Sequence, residues 1–111
     1  MDGSCITLII TVVFMAGIYG VGLDGSLLIS LFISIMALSI GCPGIPGAGM
    51  VCMTMLFPQI GVPAEAVAII MGVYPIVSMI QTATNVTGDA VVTTVIARQE
   101  KMLDMEKYNR R

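Results

Sequence analysis

No lysine, arginine or histidine precedes Arg98 in this 111-residue chain, and the only charges ahead of it are Asp2, Asp24, Glu65 and Asp89. A soluble domain carries about 25% charged residues. Here 11% are charged and 57% are hydrophobic. Such a chain belongs in a membrane, where the backbone must satisfy its own hydrogen bonds and apolar runs become helices. The fold class expected is therefore an all-α membrane protein, in one domain spanning residues 1–111. All five basic residues, Arg98, Lys101, Lys107, Arg110 and Arg111, lie at the end. Basic residues beside a membrane segment stay in the cytoplasm, so a multi-pass cell-membrane protein with a cytoplasmic C-terminus is expected. Glu100, Asp104 and Glu106 interleave with the cations, which argues against nucleic-acid binding.

The apolar part is cut into unequal pieces. Residues 5–23 form a run close to the roughly 20 residues that cross a bilayer. Asp24-Gly25-Ser26 reads as a turn, with Ser26 a candidate cap for the next helix. Leu27 to Ile40 is short, and runs of about 10–14 residues are more often re-entrant. Then GCPGIPGAG, Gly41 to Gly49, packs four glycines and two prolines into nine residues, which cannot continue a helix. Met50 to Ile60 is a second short arm with Pro58 near its end. This pattern predicts a re-entrant helical hairpin over 27–60 with a Gly/Pro tip. The alternatives are one broken spanning helix or an ordinary helix–loop–helix. Residues 64–98 predict a long transmembrane helix kinked at Pro75, and 99–111 a short polar cytoplasmic tail. Met-Asp-Gly-Ser enters the first apolar run without the basic start of a signal peptide. It reads as an internal piece of a longer protein.

The last helix carries the chemistry. At about 100° per residue, Tyr74, Ser78, Gln81, Thr82, Asn85 and Asp89 share one face within roughly 60° of Ser78. A polar stripe on an otherwise apolar membrane helix marks an ion or solute pathway. Asp89 has no cation nearby in sequence, and Arg98 is about 14 Å away along the axis at 1.5 Å per residue. Three states satisfy it: protonation, a bound metal cation, or a partner on another segment. Sodium is a hard cation that takes oxygen ligands, and Asp89, Asn85 and unwound carbonyls at a Gly/Pro tip offer them. Asp2 is a second candidate ligand, its bland reading being a solvated terminus. The Asn85 amide suits a solute carboxylate or carbonyl, or else an interhelical hydrogen bond. Ser78 and Thr82 by themselves read as back-bonding hydroxyls. The three cysteines, Cys5, Cys42 and Cys52, form no CxxC and the chain has no histidine, which argues against a zinc site or a disulfide framework. No nucleophile–base pair or phosphate loop is present, so no enzyme is expected.

Three motifs resemble the dicarboxylate/amino acid:cation (sodium) symporter family, which is glutamate-transporter-like. Asn85-Val86-Thr87-Gly88-Asp89 is similar to the family's NVTGD. Ser39-Ile40-Gly41 through Gly44-Ile45-Pro46-Gly47-Ala48-Gly49 is similar to the tip of its second re-entrant hairpin. Met1-Asp2-Gly3-Ser4 resembles the end of its NMDGT motif, with serine for threonine. The resemblance implies the second half of helix seven, hairpin two and helix eight. It implies sodium ligation by Asp89 and the Asn85 carbonyl, by Asp2, and by the carbonyls of Ser39, Ile40 and Cys42. It also implies a substrate site around Asn85, Thr82, Ser78, Gln81, Ser4 and Ile45. Two departures stand out. Ser78 replaces the aspartate of the amino acid transporters. Gln81 and Tyr74 replace the arginine and supporting aspartate of the acidic-substrate members.

The implied protein is a symporter for dicarboxylates or amino acids coupled to Na+ or protons. The full-length form is implied to be a homotrimer, with this chain a C-terminal fragment inactive alone. The alternative is a small membrane-embedded accessory protein without transport activity.

Overall fold

A computed structural model describes residues 1–110, and Arg111 at the end of the expected tail lies outside the described residues. Every regular element is helical. Helix α1 spans Asp2–Tyr19. It starts three residues before the expected run and stops four residues short of its end. The stop is a Schellman turn. Gly20 takes a left-handed φ of 66°, and Val21 N–H bonds back to the Ala16 carbonyl at 2.9 Å. Glycine adopts that φ without a Cβ penalty. The same device recurs at Gly61, φ 74°, where Val62 N–H reaches the Phe57 carbonyl at 3.0 Å.

The hairpin arms are α2, Gly25–Gly41, and α3, Ala48–Leu56, the latter extended by a 3-10 turn at Phe57–Ile60. Asp24, not Ser26, is the residue flanking α2, and it makes no side-chain cap bond. Ser26 falls inside the first turn. At 1.5 Å per residue α2 is about 26 Å long, short of the roughly 30 Å hydrocarbon layer. It ends where Cys42 N–H bonds the Leu38 carbonyl at 2.7 Å. The next donor in register belongs to Pro43, which has no N–H, so the Ser39 carbonyl loses its helical partner. Gly47, φ 85°, turns the chain into α3.

The expected 64–98 helix is two helices. A 3-10 turn, Ala64–Ala66, leads into α4, Val67–Met71. After Gly72 and Val73 the chain turns through 87° into α5, Tyr74–Gln99. Pro75 causes the break but does not sit at its centre. Its ring would strike the carbonyl four residues back, on Met71, and it cannot donate to that carbonyl. The helix therefore ends before it and restarts with Pro75 in the first turn of α5, where no intrahelical donor is needed. In the tail, Asp104 caps a single turn, α6 (Met105–Tyr108), by accepting from Glu106 N–H and Lys107 N–H.

Among the described residues one helix, α1, is long and apolar enough to cross a membrane alone, and Ala64–Met71 with α5 meets the same test as a bent pair. The core joins α1, both hairpin arms and α4. Val12 and Met15 pack with Met53, Leu56, Phe57 and Val62, all fully buried. In lipid such contacts stabilise through close packing more than through exclusion of water. Helix α5 stands largely outside this core, and Tyr74 is its only buried residue. The molecule measures 56 × 31 × 20 Å.

Candidate ion and solute site

Helix α5 meets the start of α1 along a polar seam. Gly3 N–H donates to Asn85 Oδ1 at 2.9 Å. Ser4 Oγ accepts from Gln81 Nε2 at 3.0 Å and from Asn85 Nδ2 at 3.3 Å. Ser4 is 3% exposed, so these bonds satisfy polar groups that would otherwise be costly to bury. The close approach depends on Gly3. A Cβ there would stand 2.5 Å from the Gln81 carbonyl oxygen. One turn further along, the Asp2 carboxylate reaches over Gly88, since a Cβ on Gly88 would lie 3.1 Å from Asp2 Oδ2. Asp2 and the Asn85–Asp89 motif are 83 to 87 residues apart in sequence, and the fold places them side by side.

The hairpin joins from the other side. Ser39, 3% exposed, donates from Oγ to the Met1 carbonyl at 2.9 Å. A cavity of about 640 Å³ opens between the tip and α5. Its wall includes residues 42–50 of the hairpin, Ser4 of α1, and Ser78, Gln81, Thr82, Asn85 and Asp89 of α5. Asp89 is the only ionisable carboxylate in that wall. Among the described residues it has no ion-pair or hydrogen-bonding partner. A second recess of about 290 Å³ lies between α1 and α5. Ile6, Ile10, Val77 and Ile80 dominate it, and it holds no charge.

The structure brings most of the sequence-derived residues into this arrangement, and it shows Ser78 and Thr82 back-bonded, as these hydroxyls read by themselves. Ser78 and Thr82 turn their hydroxyl protons onto their own helix, to the Pro75 carbonyl at 2.8 Å and the Ser78 carbonyl at 2.7 Å. Only their oxygen lone pairs face the cavity. Ile40 is 81% exposed and outside the cavity wall, whereas Ile45 and Cys42 are in it. Tyr74 stays in the cavity wall with the stripe but is buried against the hairpin, its hydroxyl resting at Gly49 of α3. The contributions of Gly3, Gly49 and the Met1 carbonyl were not singled out from sequence. The signal was glycine at positions where a helix has no need of it.

The described residues are all-helical, with apolar exteriors and a cavity between a broken hairpin and a polar helix face. Comparison with known proteins makes this specific. The model of the Sodium:dicarboxylate symporter family matches residues 1–99, and the chain belongs to that family. The family is one of transporters, not enzymes. The chain is 36% identical to the "Proton/glutamate-aspartate symporter" of Escherichia coli (strain K12), over 96% of its own length and 24% of that protein. It is 36% identical to the "Proton/sodium-glutamate symport protein" of Bacillus subtilis (strain 168), covering 96% and 25%. It is 34% identical to mouse "Excitatory amino acid transporter 3", covering 91% and 19%. The chain thus spans about a quarter or less of these relatives. No solved structure matches it significantly.

Proposed function

We propose that this chain forms the C-terminal ion- and solute-binding part of a cation-coupled symporter for dicarboxylates or amino acids. The observation that carries this reading is the cavity itself, with an unwound hairpin tip on one side and the Ser78–Asp89 stripe on the other. In this reading α2 and α3 form a re-entrant hairpin, because neither arm spans a bilayer. Asp89 and the Asn85 carbonyl hold one Na+, Asp2 contributes to another, and the carbonyls of Ser39, Ile40 and Cys42 serve a third at the tip. A partnerless carboxylate at membrane depth favours a cation or a proton, which is the physical basis of coupling. Asn85 retains one amide proton beyond its bond to Ser4 and offers it to a solute carboxylate, with Ser4, Ser78, Gln81, Thr82 and Ile45 around the rest of the solute.

The cavity wall within this chain has no cationic side chain. A second carboxylate on the solute would need its counter-charge from elsewhere in the transporter. The chain acts as part of a homotrimeric cell-membrane protein with its C-terminus in the cytoplasm, and is inactive without the remaining helices.

The test exchanges this chain for the matching segment of the Escherichia coli relative and measures uptake into vesicles under an imposed Na+ or proton gradient. Gradient-driven uptake of labelled glutamate, aspartate or succinate is expected, and Asp89→Asn removes its cation dependence. Uptake with the same cation dependence in Asp89→Asn would exclude Asp89 as the coupling ligand.

A further inference from the structure

Tyr74 shares the helical phase of the polar stripe yet does something else. It is 6% exposed and directly follows the 87° elbow. Its hydroxyl occupies the place where a Cβ on Gly49 would stand, and its ring atoms Cζ and Cε2 would lie 3.1 and 3.5 Å from that Cβ. Gly49 is the second residue of α3, at the root of the tip, and is itself buried. The phenol therefore rests on bare backbone. Alanine is the better helix former, so helix propensity alone gives no reason for glycine here, whereas the seat for Tyr74 does. Both residues lie in the wall of the large cavity. The tip segment 42–47 makes no side-chain hydrogen bond to α5 among the described residues; the one it does make, Cys42 Sγ to the Pro43 carbonyl, is internal. Packing of Tyr74 on Gly49 joins the hairpin to α5.

We propose that Tyr74 is a positioning residue that sets how closely the root of the hairpin approaches the start of α5, and that the cavity widens when Tyr74 leaves Gly49. The consequence for transport rests on the solute-site reading above, but the geometry does not, so the test reads access and not uptake. Cys42 lies in the cavity wall and Cys52 is buried in α3, which supplies a native reporter of the tip and a native reporter of the fold. The full chain in membranes is treated with a small maleimide, and each cysteine is followed by peptide-resolved mass spectrometry. Gly49→Ala displaces Tyr74, and the Cys42 rate is expected to rise roughly 10-fold, the scale of an overpacked contact. Tyr74→Phe in the Gly49→Ala background removes the clashing hydroxyl and is expected to return Cys42 close to the wild-type rate.

If Gly49→Ala unfolds the chain and Cys52 also reacts, restoration of both rates by Tyr74→Phe still supports the contact. An unchanged Cys42 rate in Gly49→Ala overturns the proposal. So does a double variant as reactive as Gly49→Ala alone. Neither result bears on whether the cavity carries solute, which the vesicle experiment decides separately.

Discussion

The two walls of the cavity are built in opposite ways. Along the α1–α5 seam, side chains do the joining: Asn85, Gln81 and Ser4 interlock, and Gly3 lets the backbones approach. At the tip, the shape comes from the backbone: Pro43 frees a carbonyl, Gly47 turns left-handed, and one aromatic residue props the root. A seam fixed by several side-chain bonds resists motion. A tip held mainly by backbone turns and one packed phenol can swing at low cost. Under the function proposed above, the difference suits a fixed site beneath a movable cover, and Ser39 links the two regions through its bond to the Met1 carbonyl.

Substitutions on each side test this contrast, read as melting of the detergent-solubilised chain with a thiol-reactive dye that reports the buried Cys52. The largest effect is expected at the seam. Gly3→Ala pushes a methyl group into the Gln81 backbone and costs about 3 kcal/mol, at the upper end for overpacking. An unchanged melting temperature would mean that α1 and α5 are not held at this distance. At the tip, Gly47→Ala strains a left-handed residue by about 1–2 kcal/mol. Gly44→Ala, with open space around it and no positive φ, changes stability by no more than about 0.5 kcal/mol. Equal losses at both glycines would contradict a tip defined by its turn. A smaller effect than at Gly47 is expected at the link. Ser39→Ala removes one hydrogen bond, about 1 kcal/mol or less. It is expected to raise Cys42 reactivity without altering that of Cys52. A change in Cys52 instead would make Ser39 a core residue and not a connector between the regions.

Much of this is legible in the chain itself. The Gly/Pro run marks the tip because those residues cannot continue a helix wherever they occur. The stripe is visible because helical phase is a local property, and Asp89 draws notice because a lone carboxylate among apolar residues is expensive. Pro75 announces a break, though not its 87° angle, since the direction after a break depends on what α4 and α5 pack against. Ser26 misleads because the helix starts earlier, with Asp24, two residues before it, at the flanking position.

The sequence by itself determined a membrane-embedded helical chain, the order of its elements and the polar face that matters, because apolarity, helical period and backbone breakers act through neighbours in the chain. Only the tertiary structure decided who meets whom. Asn85 bonds Gly3 across 82 residues, Asp2 leans over Gly88, and the Tyr74 hydroxyl rests at Gly49. Those pairings depend on how closely two backbones can approach and on where a broken helix points when it resumes, and both are set by packing between distant segments.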